Sequence, residues 1–147
     1  MQVTQQQEVP MQFTKNFSTT TDPKLEIPPN TDPHIPTNLL LPLTQIQKIR
    51  DKFGPIIITS GYRDPEYNKT IGGSPTSQHC QGFACDFTFG GQTFVELVPL
   101  FTWAKKNCVY DQLIIETQKT SWIHLSCLPS ENRRQTLRCK SGMYTKF

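Results

Sequence analysis

Ser77-Gln78-His79-Cys80-Gln81-Gly82-Phe83-Ala84-Cys85-Asp86-Phe87 carries the pattern from which the rest of the chain can be read. After Gly82 the residues alternate. Cys85, Phe87 and Phe89 project one way, and Ala84, Asp86 and Thr88 the other. A strand of this kind buries its phenylalanines and presents Asp86 on the opposite surface. His79, seven residues before Asp86, makes this stretch half of a metal site. Trp122-Ile123-His124-Leu125-Ser126 offers the other half, because His124 and Ser126 share one strand face while Ile123, Leu125 and Cys127 share the other.

Imidazole nitrogens with a carboxylate oxygen suit zinc, and three protein ligands leave a fourth position for water. A closed structural site would use four ligands, often thiolates. Cys80 and Cys85 supply that alternative, but the alternation puts Cys85 on the apolar face. His79, Asp86 and His124 are therefore expected to hold one zinc ion per chain in a hydrolytic centre. His34, within a proline-rich stretch, is read as a surface residue.

The neighbouring elements follow from periodicity and punctuation. Leu43, Ile46, Ile49 and Phe53 recur at helical steps after a start near Asn38, which confines Pro42 to the first turn, and Gly54-Pro55 ends the helix. Ile56-Ile57-Ile58-Thr59 reads as a buried strand. Asp64-Pro65 reads as a capped helix start, closed by Gly72-Gly73, and Gly82 as a tight turn. Thr93 to Lys106 is a second amphipathic helix, strained or bent near Pro99. Gln112–Glu116 and Trp122–Cys127 form a hairpin about residues 117–121, and Thr136–Lys140 adds an edge strand. The expected fold is α+β, a small, mainly antiparallel sheet with helices packed on one face.

Ser77-x-His79-x-x-Gly82-x-Ala84-x-Asp86, preceded by Ser60-Gly61-Tyr62-Arg63 and followed by Trp122-Ile123-His124, resembles the zinc D-Ala-D-Ala carboxypeptidases and their phage endolysin relatives. The same zinc fold occurs in the hedgehog signalling domain. The resemblance runs from about Asn38 to Tyr144, with a weaker echo from about Phe13. It implies a zinc peptidase acting on bacterial peptidoglycan peptides, as a carboxypeptidase or as a stem or cross-link endopeptidase. It implies that Glu116 is the catalytic acid/base, with Asp111 as runner-up, and that Arg63 helps bind the substrate. The alternatives for Arg63 are a surface position or a pair with Asp64 or Glu66. Ser77 would orient His79 or donate to substrate. Tyr62 and Trp122 would wall the groove.

Trp122 stands where some carboxypeptidase relatives have a second histidine, which points towards the phage-type peptidases. Hedgehog domains illustrate the alternative, a zinc-stabilised binding module without catalysis. Glu116 and Arg63 beside the three ligands favour an enzyme.

Residues 1–37 contain five Gln, seven Thr and six of the chain's 12 prolines, so they cannot form a long helix. The reading divides the chain into a flexible tail at 1–12, a Pro/Thr-rich arm at 13–37 and a zinc peptidase domain at 38–147. The arm can lie on the domain through Phe13, Phe17, Leu25 and Ile27. A net charge of +3 does not call for a nucleic-acid partner, and Arg133, Arg134, Arg138, Lys140 and Lys146 read as a solvated basic edge. Five cysteines without a short Cys-x-x-Cys pair argue against a disulfide framework and for synthesis in a reducing cytoplasm. No apolar run is long enough for a membrane span, and the N-terminus lacks the marks of a signal peptide. A monomer is expected, reaching the cell wall after phage- or prophage-type release.

Overall fold

The computed structural model describes residues 10–147. Most of the tail expected at 1–12, and with it the question of a signal peptide, lies outside the described residues. Three helices and six strands form the domain: α1 (Ile35–Phe53), β1 (Ile57–Ser60), α2 (Pro65–Thr70), β2 (Ala84–Thr88), α3 (Phe94–Asn107), β3 (Gln112–Thr117), β4 (Ser121–Ser126), β5 (Gln135–Lys140) and β6 (Met143–Lys146). The strands make one sheet in the order β1-β2-β4-β3-β5-β6. Every pairing is antiparallel except that of β3 with β5.

The two faces of the sheet have opposite chemistry because side chains alternate along each strand. Cys85, Phe87, Leu113, Ile115, Ile123 and Leu125 are fully buried on one face, beneath α1 and α3. Helix α1 contributes Leu39, Leu43, Ile46 and Ile49, and α3 contributes Leu97, Leu100, Phe101 and Ala104. Thr93 caps α3 in a reciprocal arrangement: its Oγ1 accepts from Glu96 N at 3.2 Å and donates to Glu96 Oε1 at 2.8 Å. Pro99 lies on the exposed side of α3, where water can satisfy the carbonyl it leaves free.

Several sequence expectations need correction. Helix α1 begins at Ile35, so Pro36 occupies its first turn and Pro42 falls in its interior. Ile35 is only 3% exposed, and its burial, worth about 1.5–3 kcal/mol, helps offset the break at Pro42. Strand β1 is an edge strand rather than a buried one: Ile58 enters the core while Ile57 is 59% exposed. Strand β5 is internal, running parallel to β3, and the edge is β6, which the sequence reading did not anticipate. Ser141-Gly142, both at positive φ, form the two-residue turn that joins them. That dipeptide is a recognisable hairpin signal.

Phe17 and Leu25 of the arm are buried in the hydrophobic core, and Phe13 and Ile27 pack against it. A short 3₁₀ turn, Pro23–Leu25, lies against β1. Gln47 ties the same segment to α1, its Oε1 accepting from Thr14 Oγ1 at 2.7 Å and from Asn16 N at 2.9 Å. Replacing Leu25 with alanine should therefore lower the unfolding free energy by about 2–5 kcal/mol, as for any buried core leucine. Urea denaturation of the purified protein checks this. A loss below about 0.5 kcal/mol, typical of surface positions, would show that the arm is only loosely attached.

Candidate metal centre and groove

His79, Asp86 and His124 come from three segments. Asp86 on β2 is directly opposite His124 on β4, so the two side chains leave the sheet on the same face. His79 lies in the 3₁₀ turn Gln78–Gln81, which Ser77 caps by accepting from His79 N at 3.3 Å. Gly82 ends the turn at φ 79°, where a Cβ would press on the Ile35 carbonyl oxygen at 3.1 Å. His79 Nδ1 lies 2.8 Å from the Gly61 carbonyl oxygen. A carbonyl can only accept, so Nδ1 carries the hydrogen and the neutral ring presents a lone pair at Nε2.

That lone pair meets the other two donors. His79 Nε2 is 3.1 Å from Asp86 Oδ1 and 3.2 Å from His124 Nδ1, and His124 Nδ1 is 3.0 Å from Asp86 Oδ1. Donors bound tetrahedrally to zinc at about 2.0–2.1 Å lie about 3.3 Å apart, so the triangle fits an ion of that size. One cation satisfies all three atoms at once, whereas protons would have to be divided among them. The histidine-to-carbonyl bond also matches the outer hydrogen bonding that orients metal-binding histidines. Burial alone would raise the Asp86 pKa, but the adjacent His79 and His124 rings reverse this and hold it well below the usual carboxylate range. Asp86 thus stays anionic. Cys85 is buried in the core and takes no part, and Cys80 lies outside the donor group.

The triangle opens into a groove of about 580 Å³, within the range of ligand clefts. Arg63, Ser77, Glu116 and Trp122 line it together with the three donors. Tyr62 does not: its ring packs against the hydrophobic core. Arg63 pairs with neither Asp64 nor Glu66. Its Nη1 donates to Asn68 Oδ1 at 3.0 Å, its Nη2 donates to Ser60 Oγ at 3.4 Å, and Nη2 lies 3.9 Å from Asp86 Oδ2. Asn68, 2% exposed, is fixed in turn by donating to the Ser74 carbonyl at 2.8 Å. Nothing in the sequence marks Asn68 out.

Glu116 on β3 is directly opposite Trp122 on β4, two residues from His124 on the same face. Burial, and then the negative charge of Asp86, raise the Glu116 pKa, opposed in part by His124 and Arg63. A carboxyl displaced in this direction is better suited to accept and return a proton near neutrality. Gln112, Ile114, Arg133 and Tyr144 also line the groove and were missed by sequence reasoning. Partial desolvation of Tyr144 at the groove, and then the charge of Glu116, push its pKa up to about 12, so it remains a hydrogen-bond donor.

Residues 5–126 match the family model described as Peptidase M15. The chain belongs to the peptidase M15 family. No curated protein matches it in sequence. Peptidases of the M15 family are zinc-dependent, and the matched segment contains all three donors together with Arg63, Ser77, Glu116 and Trp122. Strands β5 and β6 and residues Arg133 and Tyr144 lie beyond it. No helix among the described residues of this M15 peptidase is long and apolar enough to cross a membrane.

Asp111, the alternative acid/base, is committed elsewhere. Its side chain is 1% exposed and accepts from Arg133 Nη2 at 2.6 Å, Arg133 Nε at 3.0 Å, Arg133 N at 2.9 Å and Gln78 Nε2 at 2.9 Å. The Arg133 hydrogen bonds outweigh the effect of burial and hold Asp111 at about 2. Because the folded-state value is depressed, the stability it supplies is complete above the unfolded value near 4 and is lost as pH falls through about 2. Asp111→Asn should cost about 1–3 kcal/mol at pH 7, and its deficit relative to wild type should shrink as pH falls from 4 towards 2. Denaturation curves for both proteins across that window check it. A deficit independent of pH would count against the ion pair as its source.

Proposed function

We propose that the chain is a zinc peptidase hydrolysing peptide bonds of bacterial peptidoglycan, as a D-Ala-D-Ala carboxypeptidase or as a stem or cross-link endopeptidase of phage type. The observation carrying this reading is the His79-Asp86-His124 triangle at the floor of a groove whose walls hold Glu116 and Arg63. Membership of the M15 family supports it independently. The chain is taken to act as a monomer on the cell wall.

His79, Asp86 and His124 would hold the ion, which when bound supplies a Lewis acid that makes water a usable nucleophile near neutral pH. Asp86 would neutralise part of its charge, and the Gly61 carbonyl fixes the His79 ring with Nε2 facing inward. Glu116 takes the proton released during attack and returns it to the leaving amine. Its raised pKa favours the first of these steps. Arg63, held by Asn68 and Ser60, keeps one edge of its guanidinium turned towards Asp86 and the groove. There it can orient a carboxylate or carbonyl oxygen of the substrate. Ser77 borders the same space, and the Trp122 indole walls it beside Glu116.

Elemental analysis of the purified protein should find close to one zinc per chain. Glu116→Gln keeps the side chain's shape without a proton acceptor, so zinc content and melting temperature should persist while muropeptide cleavage falls by about 10²–10⁴-fold. His124→Ala should lose metal affinity, activity and stability together, since metal binding is coupled to folding. Mass spectrometry of products from defined muropeptides identifies the bond. Stoichiometric zinc without cleavage of any muropeptide would leave a binding module in place of the enzyme.

A further inference from the structure

Beyond the matched family segment, the C-terminal hairpin places one aromatic side chain in line with the proposed acid/base. Trp122 is opposite Glu116, Glu116 is beside Cys139 on β5, and Cys139 is opposite Tyr144 on β6. These four residues form one row across the metal-bearing face of the sheet. Neighbouring strands are about 4.8 Å apart, so the backbone of Tyr144 is about 10 Å from that of Glu116. The only side chain between them in the row is the small, buried Cys139. Tyr144 lines the same groove as Glu116 and Asp86.

Packing does not account for this position. Every residue of β6 is exposed, Tyr144 is 59% exposed, and it contributes nothing to the hydrophobic core. It nevertheless lines the groove that contains the metal donors. A large exposed aromatic with a hydroxyl, lying at the edge of a cleft, has the properties of a peptide-contacting side chain: two stiff torsions, an apolar ring and one donor.

We propose that Tyr144 is a substrate-binding residue, its hydroxyl donating to a carbonyl or carboxylate oxygen of the bound peptide and its ring packing on the peptide backbone. Tyr144 and Trp122 then flank Glu116 along the row, so the peptide lies across the strands between two aromatic walls. The C-terminal hairpin becomes a recognition element added to the catalytic sheet. This assignment rests on the peptidase reading for its ligand, a muropeptide, but its test can be separated from turnover.

The experiment measures muropeptide binding by calorimetry in the Glu116→Gln background, and cleavage kinetics in the wild-type background, for Tyr144→Phe and Tyr144→Ala. Tyr67→Phe serves as the control, since Tyr67 on α2 is equally exposed at 59% and does not line the groove. Loss of one hydroxyl hydrogen bond should raise Kd and KM by about 3- to 10-fold in Tyr144→Phe, with kcat within about twofold. Tyr144→Ala should lose about tenfold or more, as truncation of an interface tyrosine commonly does. Melting temperatures should be unchanged throughout, and the control should match wild type. Unaltered Kd and KM in Tyr144→Ala would overturn the proposal, as would a joint fall of kcat and melting temperature. If the parent protein binds muropeptides without cleaving them, the peptidase reading fails while the binding comparison still decides the role of Tyr144. If it does not bind them, both fall.

Discussion

The antiparallel pairing of Asp86 with His124 is the contact on which the rest of the arrangement depends. Their shared face fixes the parity of both strands, sending Cys85, Phe87, Ile123 and Leu125 to the other side and into the core. A carboxylate 13% exposed at its side chain is costly unless it is paired or bound to a cation. The folded domain meets that requirement with two imidazoles and the space for an ion between them. Binding of an ion there would be coupled to the stability of the domain through the same three side chains.

His79 joins this pair from outside the sheet, and its orientation depends on remote parts of the chain. Its Nδ1 is held by the carbonyl of Gly61. Gly61 is packed against the arm so closely that a Cβ there would meet the Lys24 carbonyl oxygen at 3.0 Å and Leu25 Cδ2 at 3.1 Å. The arm thus seals the core at Leu25 and braces the backbone that sets the His79 tautomer. On the opposite side, Asp111 gathers Arg133 and Gln78 into one network, linking the segment before β5 to the residue preceding His79. The His79-Asp86-His124 group is held by two braces, one from the arm and one from the segment before β5.

The same network changes the meaning of the basic C-terminal stretch. Arg133 is bound to Asp111. Arg134 donates to the carbonyls of Cys108 and Lys105 and lies over the Tyr110 ring, and Arg138 lies over the Phe94 ring. These three arginines tie β5 and the segment before it to the body of the domain. Their partners come from residues 94–111, too far along the chain for local spacing to reveal.

The features legible in the sequence are those set by a few consecutive residues. Strict alternation assigned Asp86 and His124 to the face away from the core. Asp64-Pro65 marked the start of α2, where Asp64 accepts from Glu66 N at 2.8 Å. Gly82 marked the tight turn that follows His79. Tertiary structure alone decided how distant segments meet: the parallel seat of β5 beside β3, Asn68 beneath Arg63, Asp111 paired with Arg133, Tyr62 packed against the core, and Tyr144 brought into line with Glu116. Side-chain parity and capping are local and leave a period or a motif in the chain. Strand order and register depend on the free energy of joining segments tens of residues apart, with loop closure and shared burial decided together, and that balance leaves no repeat to read.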